Sequence, residues 1–459
     1  VGSEMCIRDR SMVAQAAPDR DQELSFLAES AELALGHANR LGAQNSEVSA
    51  SIHFGLNVNV RNGEVETLEH SRDRGLGVSV YLGNSKGHAT SGDLRPETIR
   101  KCVEKAIDIA RFTQADKCNG LAPVERLANR FPDLDLWHPQ ALDAELTTQR
   151  ALACEAAGLE NPKISNSDGA AASSSFGLSV YANSNGFTGR RDGTRYSQHC
   201  ILIAGEGDAM QRDYWYDSRR AFSDLESVEE TGIEAARRTV NRLGARNIPT
   251  CEVPVLLAPE VARGLISHLV SAITGASLYR NASFLQGAEG QQLFGDWLKI
   301  SERPFIPRGA SSTAFDAEGV ATTDRDIINN GVLTGYVLDS YSARRLGMET
   351  TGNAGGTHNL VVNHGGYSAP ELMKQMGTGL LVTDVMGQGV SIVTGDYSRG
   401  AAGFWVENGE IQFPVDEVTI AGNLKDMFMA IEAVGNDLDD RSGIQSGSIL
   451  MGKMTVAGS

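Results

Sequence analysis

Residues 48–60 carry the pattern that most restricts what this chain can fold into. In the first part apolar and polar residues alternate, as along a strand that buries one face, and the apolar members are Val48, Ala50, Ile52 and Phe54. We expect the alternation to continue on the opposite face in the second part, whose apolar members are Leu56, Val58 and Val60. Asn62-Gly63 follows, and this pair favours a hairpin because both residues tolerate positive φ. A β-hairpin is therefore predicted in the first part of the chain.

Turn and helix signals organise the rest of the chain. The 50 glycines against 13 prolines predict many tight turns between strands. Helix periodicity predicts helices at residues 21–41, 96–110, 141–159, 224–243, 259–273, 338–346, 369–376 and 424–433. Further strands are predicted at residues 77–82, 177–181, 196–204, 210–217 and 253–257. The sequence thus predicts an α+β fold, with N-terminal and middle helix-plus-antiparallel-sheet domains and a C-terminal mixed α/β domain rich in antiparallel strands.

The same signals suggest where domains begin and end. We expect residues 1–20 to be a disordered or artefactual leader, because residues 1–11 lack a starting Met and lead into nothing periodic. The predicted domains, separated by linkers that contain proline, cover residues 21–113, 134–244 and 252–459. Ser79-Val80-Tyr81 is echoed by Ser179-Val180-Tyr181, but a single tripeptide does not establish a duplication.

Charge, hydropathy and cysteine usage exclude several classes of partner. Lys plus Arg is 41 and Asp plus Glu is 58, so the net charge is −17, and no dense basic run is present. Such a chain repels nucleic acid and anionic lipid, so direct binding to nucleic acid or to a membrane is not expected. No apolar run approaches the roughly 18 residues of a membrane span. Six scattered cysteines without a C-x-x-C pair indicate reduced thiols and a cytoplasmic protein.

Short catalytic motifs match only in their letters. Residues 83–87 read G-x-S-x-G, but they lie in a predicted hairpin turn, whereas a nucleophilic serine needs a turn from strand to helix. Residues 447–454 nearly spell a phosphate-binding loop, yet Met454 replaces the Ser or Thr that would bind magnesium. The other metal candidates, which lack the spacing of a zinc helix or a calcium loop, are His358, His364, Asp437, Asp439 and Asp440.

A longer signature lies in the C-terminal part of the chain. Its segments are YSARRLG at 341–347, TGNAGG at 351–356, GTGLLVT at 377–383, MGQGV at 386–390, TGDYSRG at 394–400, AAGFWVENGE at 401–410 and IAGNL at 420–424. These strings resemble the PmbA (TldE) branch of the TldD/PmbA metalloprotease family, and the similarity runs from about residue 20 to the C-terminus. The resemblance implies an intracellular peptidase whose TldD-type subunit holds zinc on an H-E-x-x-x-H helix, with a cysteine as a later ligand.

This sequence departs from that zinc pattern at each matching position. On the helix predicted at 259–273, Ser267 stands where TldD has the first histidine and His268 where it has the glutamate. Ala272 replaces the second histidine, and Ser446 lies in the region of the cysteine ligand. These side chains do not replace two imidazoles, a thiolate and a general base. The resemblance therefore implies no catalytic residue and no metal ligand in this chain, with zinc expected in a TldD-type partner.

The function implied by the resemblance is that of a PmbA/TldE-type subunit in a heteromeric zinc metalloprotease, which completes the peptide cleft without performing the chemistry. In the family such complexes cleave unfolded or small peptides, mature peptide antibiotics and degrade an antitoxin. We expect peptide to bind along a strand edge or its wall, and the candidates there are Val390, Ser391, Ile392, Val393 and Phe404. Further candidates, which we place on the turn between those segments, are Asp396, Ser398 and Arg399.

Two other functional classes stay open. One is a non-proteolytic binding protein or regulator, for example a modulator of DNA gyrase, in which acidic charge would mimic nucleic acid. The other is an independent serine or cysteine hydrolase, although nothing in the sequence arranges a nucleophile. His268 also has a structural explanation, because the helix around it has an apolar face formed by Leu265, Ile266, Leu269, Val270 and Ile273.

Overall fold

The computed structural model describes residues 16–141 and 143–458. Residues 1–15, most of the predicted leader, lie outside the described residues. The first helix begins at Arg20, and the Asp19 carboxylate caps it by accepting the N–H of Gln22 at 3.1 Å. The fold is α+β with mainly antiparallel sheets, so the predicted fold class is confirmed.

The described residues form an N-terminal unit (residues 20–241) and a C-terminal unit (residues 251–457). The elements of the N-terminal unit are α1 (Arg20–Arg40), β1 (Asn45–Arg61), β2 (Glu64–Leu82), β3 (Ser85–Ser91), α2 (Pro96–Phe112), α3 (Ala144–Leu159), β4 (Ile164–Asn183), β5 (Thr188–Ala204), β6 (Gln211–Arg219) and α4 (Val228–Asn241). Those of the C-terminal unit are β7 (Cys251–Leu257), α5 (Pro259–Ile273), α6 (Gly275–Tyr279), β8 (Ile300–Glu302), β9 (Arg325–Asn329), β10 (Val332–Leu333), α7 (Ser340–Leu346), β11 (Leu360–Val362), α8 (Ala369–Met376), β12 (Gly379–Met386), β13 (Asp396–Glu407), β14 (Glu410–Asn423), α9 (Leu424–Met429), β15 (Ile431–Val434), β16 (Ile444–Gln445) and β17 (Ile449–Ala457). In the part of the chain that is described, no helix combines the length and the apolar character needed to cross a membrane.

Six antiparallel strands of the N-terminal unit form one sheet in the order β3-β2-β1-β4-β5-β6. β1 and β4 lie at its centre, and their register runs without interruption until Val60 stands opposite Ala170. The seven alternating apolar residues of 48–60 are all buried on the same face of β1. The expected change of face after Phe54 is wrong, because all seven stand at even-numbered positions and β1 has no register shift against β2 before Asn59.

This sheet consists of two halves with the same order of elements. The first half runs α1-β1-β2-β3-α2 and the second runs α3-β4-β5-β6-α4. Tyr81 and Tyr181, which end the two echoed tripeptides, lie on the strands beside β1 and donate hydrogen bonds to the two carboxylate oxygens of Glu47 at 2.8 and 2.9 Å. The echoed tripeptides are not at equivalent positions of the two halves, because Tyr81 lies on the second strand of the first half and Tyr181 on the first strand of the second half. A duplication is therefore suggested by the repeated order of elements alone. Residues 21–113 and 134–244, predicted as two domains, share this one sheet.

The four helices of the two halves cover the apolar face of the sheet and form its core. α3 also supports the turn of the first hairpin, because the Glu155 carboxylate accepts the N–H of Asn62 at 2.9 Å and that of Gly63 at 2.8 Å. Glu155 is only 1% exposed, and these two hydrogen bonds satisfy its oxygens. A side chain of the second half therefore holds the hairpin turn of the first.

The C-terminal unit contains two sheets. The smaller has the order β10-β9-β8-β11-β16. The larger has the order β14-β13-β12-β7-β17-β15, and it closes on itself because β14 also pairs with β17, from Thr419 opposite Ala457 to Ala421 opposite Thr455. The helix predicted at 424–433 ends at Met429, and Ile431–Val434 forms strand β15 instead.

The second half of the N-terminal sheet packs against loops of the C-terminal unit. The ring of Phe315, 1% exposed, lies over Gly189 of β5, where a Cβ atom would come within 2.4 Å of the ring Cζ. Arg191 stacks on the same ring, with its Cζ 4.2 Å from the centroid, and donates hydrogen bonds to the carbonyl oxygens of Phe315 and Asp316. Glycine at position 189 permits this close approach, which forms one wall of a cleft between the units.

Candidate functional site

Three adjoining cavities lie where the second half of the N-terminal sheet meets the C-terminal unit. The first two are lined by residues of both units, and the third is lined by the C-terminal unit alone. Their volumes are about 690, 420 and 390 Å³. Arg220 lines both the first and the second cavity, whereas Ser311 and Thr357 line both the first and the third. We call the three together the interdomain cleft. Long concave sites of this size between packed units are typical of ligand-binding and substrate-binding sites.

Helix α5 has one face in the core and another in this cleft. Pro259 occupies its first turn, where the missing N–H of proline costs nothing. The residues packed into the core are Val261, Ala262, Leu265, Ile266, Leu269, Ala272 and Ile273, which confirms the predicted apolar face, with Val270 partly buried beside them. The residues that line the third cavity are Glu260, Arg263, Gly264 and Ser267. The helix that matches the family's zinc helix thus borders the cleft.

The four positions of the zinc pattern do not share one environment. Ser267 is half-buried in the third cavity. His268 points elsewhere, since its ring meets Tyr397 edge-on with the centroids 6.0 Å apart. Ala272 and Ser446 are fully buried, and the Ser446 hydroxyl donates to the carbonyl oxygen of Gly447 at 2.9 Å.

These residues do not fit a zinc ion. Within residues 16–141 and 143–458 no three His, Cys, Asp or Glu side chains gather in a way that could hold a metal. Burial and the nearby positive charge of Arg399 lower the pKa of His268, so its imidazole is neutral at pH 7. A single neutral imidazole beside a hydroxyl and a methyl group lacks the three protein ligands of a catalytic zinc site.

The segment 387–395, which contains four of the predicted peptide-binding residues, folds back onto β13. The N–H of Ser398 donates to the carbonyl oxygen of Gly389 at 2.6 Å, and the N–H of Ser391 donates to that of Asp396 at 2.9 Å. Asp396, Ser398 and Arg399 lie within β13, so their predicted place on a turn is wrong. The first residues of β13 were not predicted as a strand, because they follow a glycine turn and include only one buried apolar side chain, Tyr397, between exposed polar residues.

The remaining predicted residues are spread over different surroundings. Val390 and Ile392 pack against the core of the C-terminal unit, whereas Val393 is 57% exposed. Phe404 lies inside β13, whose backbone pairs with both β12 and β14 there, so it is no free strand edge. Its side chain lines a separate cavity of about 390 Å³ with Phe413 and Pro414 among its neighbours. Among the described residues that line the interdomain cleft, none is one of the eight predicted peptide-binding residues.

Most charged side chains of the second cavity are neutralised in pairs. Arg219 contacts Asp440 at 2.8 Å, and Arg308 contacts Asp224 at 2.7 Å. Arg441 contacts Asp439, which does not itself line the cavity, at 2.8 Å. Burial would raise the pKa of the Asp439 carboxyl, but the contact with Arg441 lowers it below its ordinary value. The exceptions are Arg195 and Arg220, which sequence reasoning missed. Arg195 lies in β5 and Arg220 directly follows β6 beside Arg219. Neither belongs to a motif, and only the fold brings the two together.

Three family models match the chain and together cover most of it. They are the PmbA/TldA metallopeptidase domain 1 over residues 46–110, the central domain over residues 137–243 and the C-terminal domain over residues 250–458. These matches and the α+β fold place the protein in the class of metallopeptidase-family proteins. The chain belongs to the PmbA/TldA metallopeptidase family, as its C-terminal signature predicts.

Individual relatives agree with this assignment. The chain is 49% identical over 428 residues to the metalloprotease PmbA of Escherichia coli O157:H7, which covers 93% of this chain and 94% of that protein. It is 47% identical over 443 residues to a PmbA homologue of Haemophilus influenzae, with 96% and 97% coverage. A crystal structure of a proposed modulator of DNA gyrase from Bacteroides thetaiotaomicron has a TM-score of 0.90 at 27% identity, covering 96% of this chain and 100% of that one.

Proposed function

We propose that this chain is the cleft-forming, non-catalytic subunit of a heteromeric zinc peptidase that cleaves unfolded or small peptides. Its partner would be a TldD-type subunit that holds the zinc and supplies the general base. The two would work in the cytoplasm, in agreement with the reduced state expected of the cysteines. The proposal rests on membership of the family and on one observation, which is that Ser267, Ala272 and Ser446 cannot bind zinc at the matching positions.

The interdomain cleft supports a role in substrate binding. It is long, it borders the helix that matches the zinc helix, and it is lined by backbone and polar groups of both units. An extended peptide needs such a groove, because its main-chain N–H and C=O groups must find partners when water is removed. The chain would therefore bind and orient peptide while the partner activates the water.

A reconstitution experiment tests the proposal. The full chain, a TldD-type partner and an equal mixture are purified, and each is assayed for zinc content and for cleavage of an unfolded peptide. We expect stoichiometric zinc in the partner and in the mixture, with chelator-sensitive cleavage greatest in the mixture. A partner whose H-E-x-x-x-H glutamate is changed to glutamine is the matched control, and its mixture should be inactive. Zinc-dependent cleavage by this chain alone would falsify the proposal.

A regulator without a proteolytic role is the second candidate, favoured by the structural neighbour that is described as a proposed modulator of DNA gyrase. The net charge of −17 would allow such a chain to compete with nucleic acid for a basic surface. Two results together would favour this function. The tagged chain would recover a topoisomerase but no TldD-type protein, and the mixture would show no cleavage.

A further inference from the structure

Arg195 and Arg220 differ from every other arginine of the second cavity because neither forms an ion pair with a carboxylate of the described residues. The cavity is lined by five arginines and two aspartates, and the aspartates contact Arg219 and Arg308. Arg195 instead donates to the hydroxyl of Ser218 at 2.9 Å. Two positive charges thus have no counter-ion within residues 16–141 and 143–458, in a chain whose net charge is −17.

The fold holds both side chains in place with neutral groups. Arg220 donates to the carbonyl oxygen of Ala310 at 2.7 Å and, more weakly, to those of Thr194 and Gly309 at 3.4 Å. Its buried Nε finds no acceptor among the described residues. Gly193 leaves room for the guanidinium, since a Cβ atom there would come within 2.9 Å of Nη1.

Both groups keep their charge despite being half-buried. Burial lowers the pKa of Arg195, and burial together with the neighbouring Arg195 lowers the pKa of Arg220 to about 10. At pH 7 the two guanidinium groups are therefore protonated and repel each other. An anion between them removes this repulsion, and guanidinium groups bind planar carboxylates in a bidentate manner.

We propose that Arg195 and Arg220 form a binding site for a carboxylate of the peptide substrate, where the second cavity of the interdomain cleft meets the first. The carboxylate is either the C-terminal α-carboxylate or an Asp or Glu side chain, and in both cases the pair anchors the peptide in the cleft. This inference rests on the proposed function, and it adds the class of substrate, which is a peptide with a free carboxylate.

Calorimetric titration of the full chain with one flexible peptide in four forms tests the site. The first form has a free C-terminal carboxylate and acidic side chains. The second has an amidated C-terminus, the third has Gln and Asn in place of Glu and Asp, and the fourth has both changes. Weaker binding on amidation alone assigns the α-carboxylate, and weaker binding on side-chain replacement alone assigns an acidic residue. We expect a loss of about ten-fold, as for one charge-assisted pair, and the doubly changed peptide should bind weakest. Equal binding of all four forms, or binding of none, would overturn the site.

Variants locate the effect on the two arginines. Arg195→Gln and Arg220→Gln should each remove the preference for the carboxylate form, whereas Arg195→Lys should retain part of it. Arg100→Gln, which changes an exposed arginine of α2, is the matched control and should bind like the wild type. Thermal unfolding checks that each variant is folded, and the four-peptide series on the wild-type chain still tests the site if Arg220→Gln does not fold. An unchanged carboxylate preference in folded Arg195→Gln contradicts the proposal.

The outcome is separable from that of the proposed function. A chain that forms an active complex with its partner but ignores peptide carboxylates refutes only the arginine site. A chain that prefers carboxylate peptides but supports no cleavage with any TldD-type partner refutes only the peptidase subunit.

Discussion

The two halves of the N-terminal sheet have the same order of elements but opposite surroundings. In the first half the outer strand β2 pairs with β3 only from Leu76 to Leu82, and every side chain from Glu64 to Arg74 is exposed. In the second half the equivalent part of β5 is covered, because the N–H of Thr194 donates to the carbonyl oxygen of Leu136 and the Phe315 ring lies on Gly189.

The difference shows how one architecture yields both a surface and a site. Arg72 of β2 stands in solvent and pairs with Glu23 at 2.7 Å. Arg195 of β5 lies in the cleft and contacts no carboxylate of the described residues. Because the C-terminal unit covers one half, Arg195 lies in a half-buried cleft, where the proposed carboxylate site is, and not on a solvated surface like Arg72.

Phe315→Ala should break the contact between the second half and the C-terminal unit. The ring is 1% exposed and lies 5.5 Å from Phe187 and 4.2 Å from the Arg191 guanidinium. We expect the free energy of unfolding to fall by about 3–5 kcal/mol, as for other buried phenylalanines. Urea unfolding measures the change. Phe112→Ala, at a 91% exposed position of the first half, is the control and should cost less than about 0.5 kcal/mol.

Glu155→Ala should weaken the link between the halves. It removes the carboxylate that accepts the N–H groups of Asn62 and Gly63, which belong to an exposed turn. A hydrogen bond to a charged group contributes about 1.5–3 kcal/mol, and water can partly replace this acceptor, so we expect a total loss of about 2–3 kcal/mol. Hydrogen exchange at residues 60–66 should accelerate in the variant. Glu160→Ala, at the exposed end of the same helix, should change neither quantity, and an equally large effect there would contradict this role of Glu155.

Periodicity predicted the central strand and the helices but not the length of the outer strands. The alternation of 48–60 gives β1, since its apolar side chains all face the helices. β2 begins at Glu64 although only 77–82 was predicted, because residues 64–74 are exposed on both faces and so carry no alternation. Pairing with β1, not burial, holds that segment in the sheet.

Less of the candidate site than of the fold could be predicted from the sequence. The family strings led to α5, and Ser267 does border the cleft. Residues 390–393 and Phe404 were expected at a strand edge or its wall, with Asp396, Ser398 and Arg399 on the turn between them. In the structure β13 pairs on both sides, and the larger C-terminal sheet closes on itself through β14 and β17. The cleft combines residues from segments far apart in sequence, such as Arg195 and Ala310, and no local pattern predicts such a meeting.

Glu318 should make the stability of the chain depend on pH. It lies on a loop of the C-terminal unit close to Tyr81 of the first half and Tyr181 of the second half. Burial, assisted by the charges of Asp316 and Asp339, raises the pKa of Glu318 to about 7 from an ordinary value of 4.5. Between these values the folded chain keeps the proton that the unfolded chain loses. The stabilisation is therefore complete below about pH 4.5 and is lost as the pH rises towards 7.

Glu318→Gln should remove this dependence. Relative to the variant, the wild type should lose on the order of 2 kcal/mol of unfolding free energy between about pH 5 and pH 7. Urea unfolding at several pH values measures the difference. Glu349→Gln, at a side chain that is 83% exposed, is the control and should leave the pH profile unchanged. A wild-type stability that rises relative to Glu318→Gln over this range would show that the carboxyl is ionised in the folded chain.

Arg72→Gln should have the smallest effect, and it sharpens the comparison between the halves. The Arg72 side chain is 50% exposed, so water and salt screen its pair with Glu23, and we expect a loss of about 0.5 kcal/mol or less. The carboxylate preference in peptide binding should be unchanged, because β2 lies outside the described cleft. Parallel titrations of Arg72→Gln and Arg195→Gln with the same peptide measure this directly. If Arg72→Gln also abolished the preference, the anion effect would belong to the overall charge of the sheet and not to the covered half.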